Sequence, residues 1–411
     1  MDVLPLETLQ RIFTLACTDG GPTGNALSLT SKAIRAASRT TRFHTVSLIA
    51  NPRRLNSFLA LYELEADGGH DKPHIRHLYV TFPRIDGNGR QRYYTSSLSP
   101  PPRRGEGRQR RGNRRLSQPV GSDSELDLDD LGYEIKVQIE EQAGSRGRPH
   151  RDDSALFDPS YHNAARRLFQ LVAPDLWTLV LQSGFRYGGA LGIPLLTVPF
   201  PSLHSLTVVD ISNPNRLFAD SLSSPNTVAQ REGQRSPLPA LTHLHLLLYD
   251  HDFQLETWAR HAPHVTHLRL SGQTGDIEQL AQVAGIALPP VPRGRHPSPI
   301  IDAWQTLTEQ LFPAAPPPPP PPSLFPQLQC LLIQPGLPPP PGGFCGTPFV
   351  EYDLALEELG QFVESCRASG LQAVALSPRK ELNGRAYLEE MRKDWVEVFS
   401  ETGAGAWAQC P

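Results

Sequence analysis

The sequence predicts an α/β chain: a small helical head, then an irregular solenoid in which short parallel strands alternate with outer helices, interrupted by disordered insertions. Three observations carry this. An apolar-x-x-apolar-x-apolar pattern recurs seven times, amphipathic stretches precede most copies, and runs of proline, glycine and charge separate them. Consecutive parallel strands need a crossover, so a repeated helix–strand unit stacks its strands side by side with the helices outside.

The head spans residues 1–48. Leu6, Leu9, Ile12, Phe13 and Ala16 recur at helical spacing between Pro5 and Cys17. Leu27, Ile34 and Ala37 do the same between Asn25 and Ser38, with Leu29 off that stripe. The run Thr18-Asp19-Gly20-Gly21-Pro22-Thr23-Gly24 stops the first helix and restarts the chain as a second. A domain this small recovers only about 60 % of its unfolded surface, so two short helices cannot bury these side chains against each other alone. Another surface must cover them.

The first helix–strand repeat occupies residues 49–86, with Leu55, Phe58, Leu59 and Tyr62 on a helix and Ile75/Leu78/Val80 on the strand. The region 155–411 carries the other six copies: Leu176/Leu179/Leu181, Leu203/Leu206/Val208, Leu241/Leu244/Leu246, Val265/Leu268/Leu270, Leu328/Leu331/Ile333 and Leu371/Val374/Leu376. Helices are predicted around Leu168–Val172, Phe253–Ala259, Ile301–Leu311 and Ala355–Cys366. A helix from Leu382 to Phe399, with Tyr387, Met391, Trp395 and Val398 on one side, is expected to close the far end.

Residues 87–154 read as a disordered charged insertion. An arginine cluster from Arg103 to Arg115 is followed by the acidic run Asp123 to Asp130, and few long apolar side chains offset the entropy of ordering them. Proline-rich loops near 313–323 and 335–348, the first holding Pro316 to Pro322, read as stiff solvent-exposed segments.

Two resemblances follow from these residues. The opening Leu4-Pro5-x-Glu7-x-Leu9-x-x-Ile12-Phe13, the stretch Ala26-Leu27-Ser28-Leu29-Thr30-Ser31-Lys32, and Phe43-His44-Thr45-Val46 together resemble the F-box. The L-x-x-L-x-L core resembles a divergent leucine-rich repeat. The first resemblance implies that Leu4, Pro5, Leu9, Ile12, Phe13, Leu27 and Leu29 meet a Skp-type adaptor, which joins a cullin scaffold. It also implies that the C-terminal domain recruits a protein target for ubiquitylation. The long glycine loop at 18–24 is a departure from that family's pattern.

Strand residues between the apolar positions point to the side opposite the helices, where repeat proteins bind partners. His77, Tyr79, Thr178, His243, His245, His267 and Arg269 are expected to face a target there. If they do, their imidazoles gain charge below about pH 6.5 and make recruitment pH-sensitive.

Other classes find little support. A formal charge of −3 names no nucleic-acid or membrane partner, and no 18-residue apolar run occurs. The opening residues lack the pattern of a signal peptide and there is no Asn-x-Ser/Thr acceptor, so a cytoplasmic or nuclear location is expected. Five cysteines, odd in number and never in a C-x-x-C pair, read as reduced thiols. The histidines at 243, 245, 261, 264 and 267 lack a ligand spacing, so no metal or other cofactor is expected. No nucleophile elbow or phosphate-binding loop is present, and the chain reads as a non-catalytic adaptor.

Overall fold

A computed structural model describes residues 4–66, 72–82, 84–85, 91–92, 159–183, 196–209, 217–218, 236–247, 255–273, 277–288, 322–339, 347–378, 391–396 and 407. The strands are β1 (Thr45–Ile49), β2 (His77–Phe82), β3 (Arg84–Ile85), β4 (Gln91–Arg92), β5 (Thr178–Ser183), β6 (Ser205–Val209), β7 (His243–Leu247), β8 (His267–Gln273), β9 (Cys330–Pro335) and β10 (Gln372–Ala375). Eight of them form one all-parallel sheet in the order β1-β2-β5-β6-β7-β8-β9-β10. The helix–strand solenoid reading therefore holds at the level of a mixed α/β chain on a parallel sheet.

The period-2 alternation assigns the faces. Leu78, Leu179, Leu206, Leu244, Leu268 and Leu331 stand in register, as do Val80, Leu181, Val208, Leu246, Leu270 and Ile333, and all are buried. They pack against α4 (Pro52–Ala66), α5 (Pro159–Val172), α6 (Leu255–His261), α7 (Ile277–Ala284) and α8 (Thr347–Ala368) in one continuous core. In α5 the buried Ala164, Ala165, Leu168, Phe169 and Val172 lie one or two turns apart, which turns a single stripe to the sheet. Just before the strands a further hydrogen-bond ladder runs across the sheet: Trp177 donates to Arg76 O, His204 to Trp177 O, Thr242 to His204 O, Thr266 to Thr242 O and Gln329 to Thr266 O. This row holds one repeat to the next even where the intervening chain is long.

Trp258 of α6 is the largest fully buried side chain, with its ring 5.0 Å from that of Phe218 in an edge-to-face pair. Its indole N–H has no hydrogen-bond partner among the described residues. Trp258→Ala should therefore cost about 3–5 kcal/mol in urea unfolding. Trp258→Phe, which keeps most of the volume and removes the unsatisfied donor, should cost less than about 1.5 kcal/mol. Equal losses for the two variants would show that packing of the ring is not what holds this position.

Several expectations need correction. The seventh pattern is out of register by one residue: Ala373, not Val374, stands opposite Leu331, so Val374 lies on the other face and is only half-buried. A one-residue slip exchanges the faces of a strand, and the short Ala373/Ala375 pair hides the true phase behind the larger Leu371 and Val374. β1 and α7 were not anticipated, because Thr45–Ile49 follows the head without a helix of its own and Ile277–Ala284 follows a strand without a proline marker. Within the stretch read as disordered, Gln91–Arg92 pairs antiparallel with Arg84–Ile85. The helix expected at 301–311, the arginine and acidic runs, and the first proline run through Pro321 lie outside the described residues.

The head contains α1 (Leu6–Ala16), α2 (Pro22–Thr30) and α3 (Lys32–Ala37). The predicted second helix is thus two, broken at Ser31, whose hydroxyl caps α3 by accepting from Ile34 N at 3.2 Å. The glycine loop has its own logic. Asp19 accepts from Gly21 N at 3.1 Å and from Thr23 N at 2.9 Å, satisfying donors ahead of and within the first turn of α2. Gly20 and Gly21 have positive φ of 84° and 121°, and a Cβ on Gly24 would overlap the Arg42 carbonyl. The Gly20 carbonyl accepts from Ser47 N at 2.9 Å, so this loop covers the edge of β1 that would otherwise be unpaired.

Candidate functional site

Two surfaces carry the residues singled out in the sequence. The first is the outward side of the head. Phe13 and Cys17 of α1 turn inward, Phe13 keeping 5 % of its surface, and Leu9 is half-buried. Ile12 and Leu15, one turn apart on the opposite side, are 46 % and 64 % exposed, and Leu29 of α2 is 78 % exposed. Leu4, Pro5 and Leu6 are exposed as well, while Leu27 is half-buried.

Phe13 therefore has to be removed from the predicted docking set, since its ring belongs to the head's interior. Leu6 and Leu15, which the expected set left out, are exposed apolar side chains of the same helix; Leu15 was legible as the i+3 neighbour of Ile12. Leu29, which fell off the predicted apolar stripe, is the most exposed large apolar side chain among the described residues because the stripe faces inward.

Joining head to body is the turn at 38–43. Phe43 packs edge-on against Phe58 and Tyr62 of α4, with ring centroids 6.2 and 5.7 Å away. Glu65 at the end of α4 receives Arg42, Arg39 at 3.4 Å and Arg35 at 3.9 Å. The head is thus held by its inner side, which leaves the outer side free of that task.

The second surface is the sheet face away from the main core. Registration places Thr45, His77, Thr178, Ser205, His243, His267, Cys330 and Gln372 in one column across it, and Ser47, Tyr79, Val180, Thr207, His245, Arg269, Leu332 and Val374 in the next. All seven predicted target-facing residues lie in these columns, so sequence spacing placed them on one face correctly. It did not show that the face is covered. Tyr79, Thr178 and His245 are buried, and His77, His243, His267 and Arg269 are half-buried.

The cover is α9 (residues 391–396) together with Trp407. Met391 packs on Val209 and Leu247, and Trp395 packs on Tyr79 and Val180, its ring 5.3 Å from that of Tyr79. Trp407 stands edge-on to His243 and His267, 5.1 and 6.0 Å away. Between this segment and the sheet remains a cavity of about 30 Å³ lined by Thr178, Ser205, Thr207, His245 and Asp394, enough for one or two waters. The described part of the predicted C-terminal helix, 391–396, therefore does not close the far end of the sheet but lies across the middle strands; the rest of 382–399 lies outside the described residues. A stripe of Met391 and Trp395 seeks any apolar surface, and periodicity cannot tell an end from a face.

Burial also overturns the expected pH response. It pushes His77 down to about 3 and His243 down to about 4, with neighbouring imidazoles and, for His77, the Arg76 guanidinium adding to the effect; His267 is lowered by burial alone. His77 and His243 stay neutral across the range in which free histidine titrates. His243 and His267 stack at 4.3 Å, which two imidazolium rings would resist.

Among the described residues no group of three or more histidine, cysteine or carboxylate side chains is placed to hold a metal ion. Cys17 and Cys366 are free and buried, their thiols pushed up to about 11 and 12. Cys330 is half of a disulfide, so the reading of all five cysteines as reduced thiols fails there; sequence spacing does not register a pairing made by the fold. No described helix is long and apolar enough to cross a membrane. Comparison with protein-family models, curated proteins and solved structures returned no match for the chain.

Proposed function

We propose that the chain is the substrate-recognition subunit of a Skp/cullin/F-box ubiquitin ligase, non-catalytic itself, with the head docking on a Skp-type adaptor and the repeat body recruiting a protein target. The observation that carries this reading is the division of labour within the head. Phe13 and Cys17 are buried, Phe43 packs on α4 and the Gly20 carbonyl accepts from β1, whereas Ile12, Leu15 and Leu29 are left outside. A head that served only to cap a leucine-rich-repeat scaffold would turn its large apolar side chains to the body, because each is worth about 1.5–3 kcal/mol when buried. The F-box resemblance names what covers them: the adaptor groove.

Co-expression with a Skp-type adaptor tests this. The wild-type chain should copurify with the adaptor, and Ile12→Asp with Leu29→Asp should weaken the complex at least a hundredfold while leaving the melting curve in place, since both positions are on the surface. Failure of the wild-type chain to hold the adaptor, or full retention by the double variant, would favour the scaffold reading. Phe13 is unsuited to this test because a charge there would unfold the head.

A further inference from the structure

We propose that the sheet face under α9 is a peptide-docking groove occupied in cis by the chain's own C-terminal segment, and that a target enters it by presenting a short helix with a bulky apolar residue at i and an aromatic at i+4 in place of Met391 and Trp395. This rests on the reading of the body as the target-recruiting part and specifies the chemistry it recruits.

The segment sits on the sheet as a ligand does. Its apolar contacts form two small clusters, Met391 with Val209 and Leu247, and Trp395 and Val396 with Tyr79 and Val180, both separate from the continuous core on the helical side. Several polar groups of the face beneath bond to one another along the sheet. Tyr79 donates to Gln182 Oε1 at 2.6 Å, Ser271 and Arg269 each donate to Gln334 Oε1 at 3.1 Å, and His245 Nε2 lies 3.0 Å from Ser271 Oγ. Lateral bonding of this kind lets the strands keep their order when the cover leaves.

A second feature ties the groove to the head. Arg392 Nη2 donates to Asp19 O at 3.4 Å, and a Cβ on Gly20 would lie within 3.4 Å of both Arg392 and Trp395. Displacement of α9 thus removes contacts from the loop that precedes α2.

The experiment uses the full chain and a fluorescein-labelled synthetic peptide of residues 388–411, read by anisotropy. Met391→Ala with Trp395→Ala in the full chain vacates the groove, and this variant should bind the peptide at least tenfold more tightly than the wild-type chain does. A peptide carrying the same two alanines should bind at least tenfold more weakly. Equal binding of the labelled peptide by the two chains, or none by a variant that keeps the wild-type circular dichroism, would overturn the proposal. Should the variant not fold, hydrogen exchange on the wild-type chain decides: amides at 391–396 exchanging at least a hundredfold faster than those of β5–β7 support a displaceable segment, and matched protection identifies it as core and overturns the proposal. No adaptor enters these measurements, so their failure leaves the docking role of the head standing, and loss of adaptor binding leaves the groove standing.

Discussion

Lowering the pH from 7 toward 4.5 should destabilise the chain steeply, with the urea midpoint beginning to fall near pH 6.5. His44, His77, His243 and His261 are held at about 4, 3, 4 and 4, in each case first by burial and then by a neighbouring charge: Arg76 for His44, His44 and Arg76 for His77, His267 and His204 for His243, and Arg260 for His261. The sign follows from proton counts. Unfolded, these rings bind a proton below about 6.5; folded, they do not until about 4, so between those values the unfolded state holds more protons and stability rises with pH. It is fully present above pH 6.5 and lost as pH falls toward 4. Each histidine contributes a slope of up to about 1.4 kcal/mol per pH unit, less where solvent reaches the ring. Replacing His243 by Gln should lower the slope by about one proton's worth. A flat profile between pH 7 and 5 would mean that the imidazoles are charged in the folded chain.

Glu65→Gln should cost about 3–5 kcal/mol, the penalty for leaving buried cations without their carboxylate. The Glu65 side chain is 15 % exposed and faces Arg42, itself 6 % exposed, together with Arg39 and Arg35. The Arg42 guanidinium also lies over the Phe43 ring, 5.0 Å from its centroid, at the junction of head and body. Removing one of the guanidinium groups along with the carboxylate, as in Glu65→Gln with Arg42→Met, should recover part of the loss, since an apolar side chain tolerates this site better than an unpaired charge. Chemical unfolding of the three proteins measures both effects. A neutral single variant would show that solvent, rather than the carboxylate, balances the arginines.

How far the chain could be read differs from one part to another. The strands were legible because Leu, Val and Ile at fixed intervals admit one face assignment, and six of the seven copies fall in the register the pattern implies. The seventh slipped because alanines at 373 and 375 carry too little apolar contrast to mark a face. The head's helices were legible too, but their orientation was not. Phe13 and Ile12 are adjacent in sequence and equally apolar, yet one is buried and the other exposed.

Periodicity and turn residues by themselves determined that this chain builds a helical head and a stack of helix–strand units, and which strand residues share a face, because those properties depend on neighbours within about ten positions. Only the tertiary structure decided that Phe13 belongs to the interior, that Gly20 seals the edge of β1, and that α9 and Trp407 cover the histidine columns. The contacts under α9 and Trp407 join residues more than a hundred positions apart, as does that of Arg392 with Asp19. No local pattern encodes them, since a segment with Met391 and Trp395 on one side is apolar enough for any complementary surface and the fold settles which one it meets.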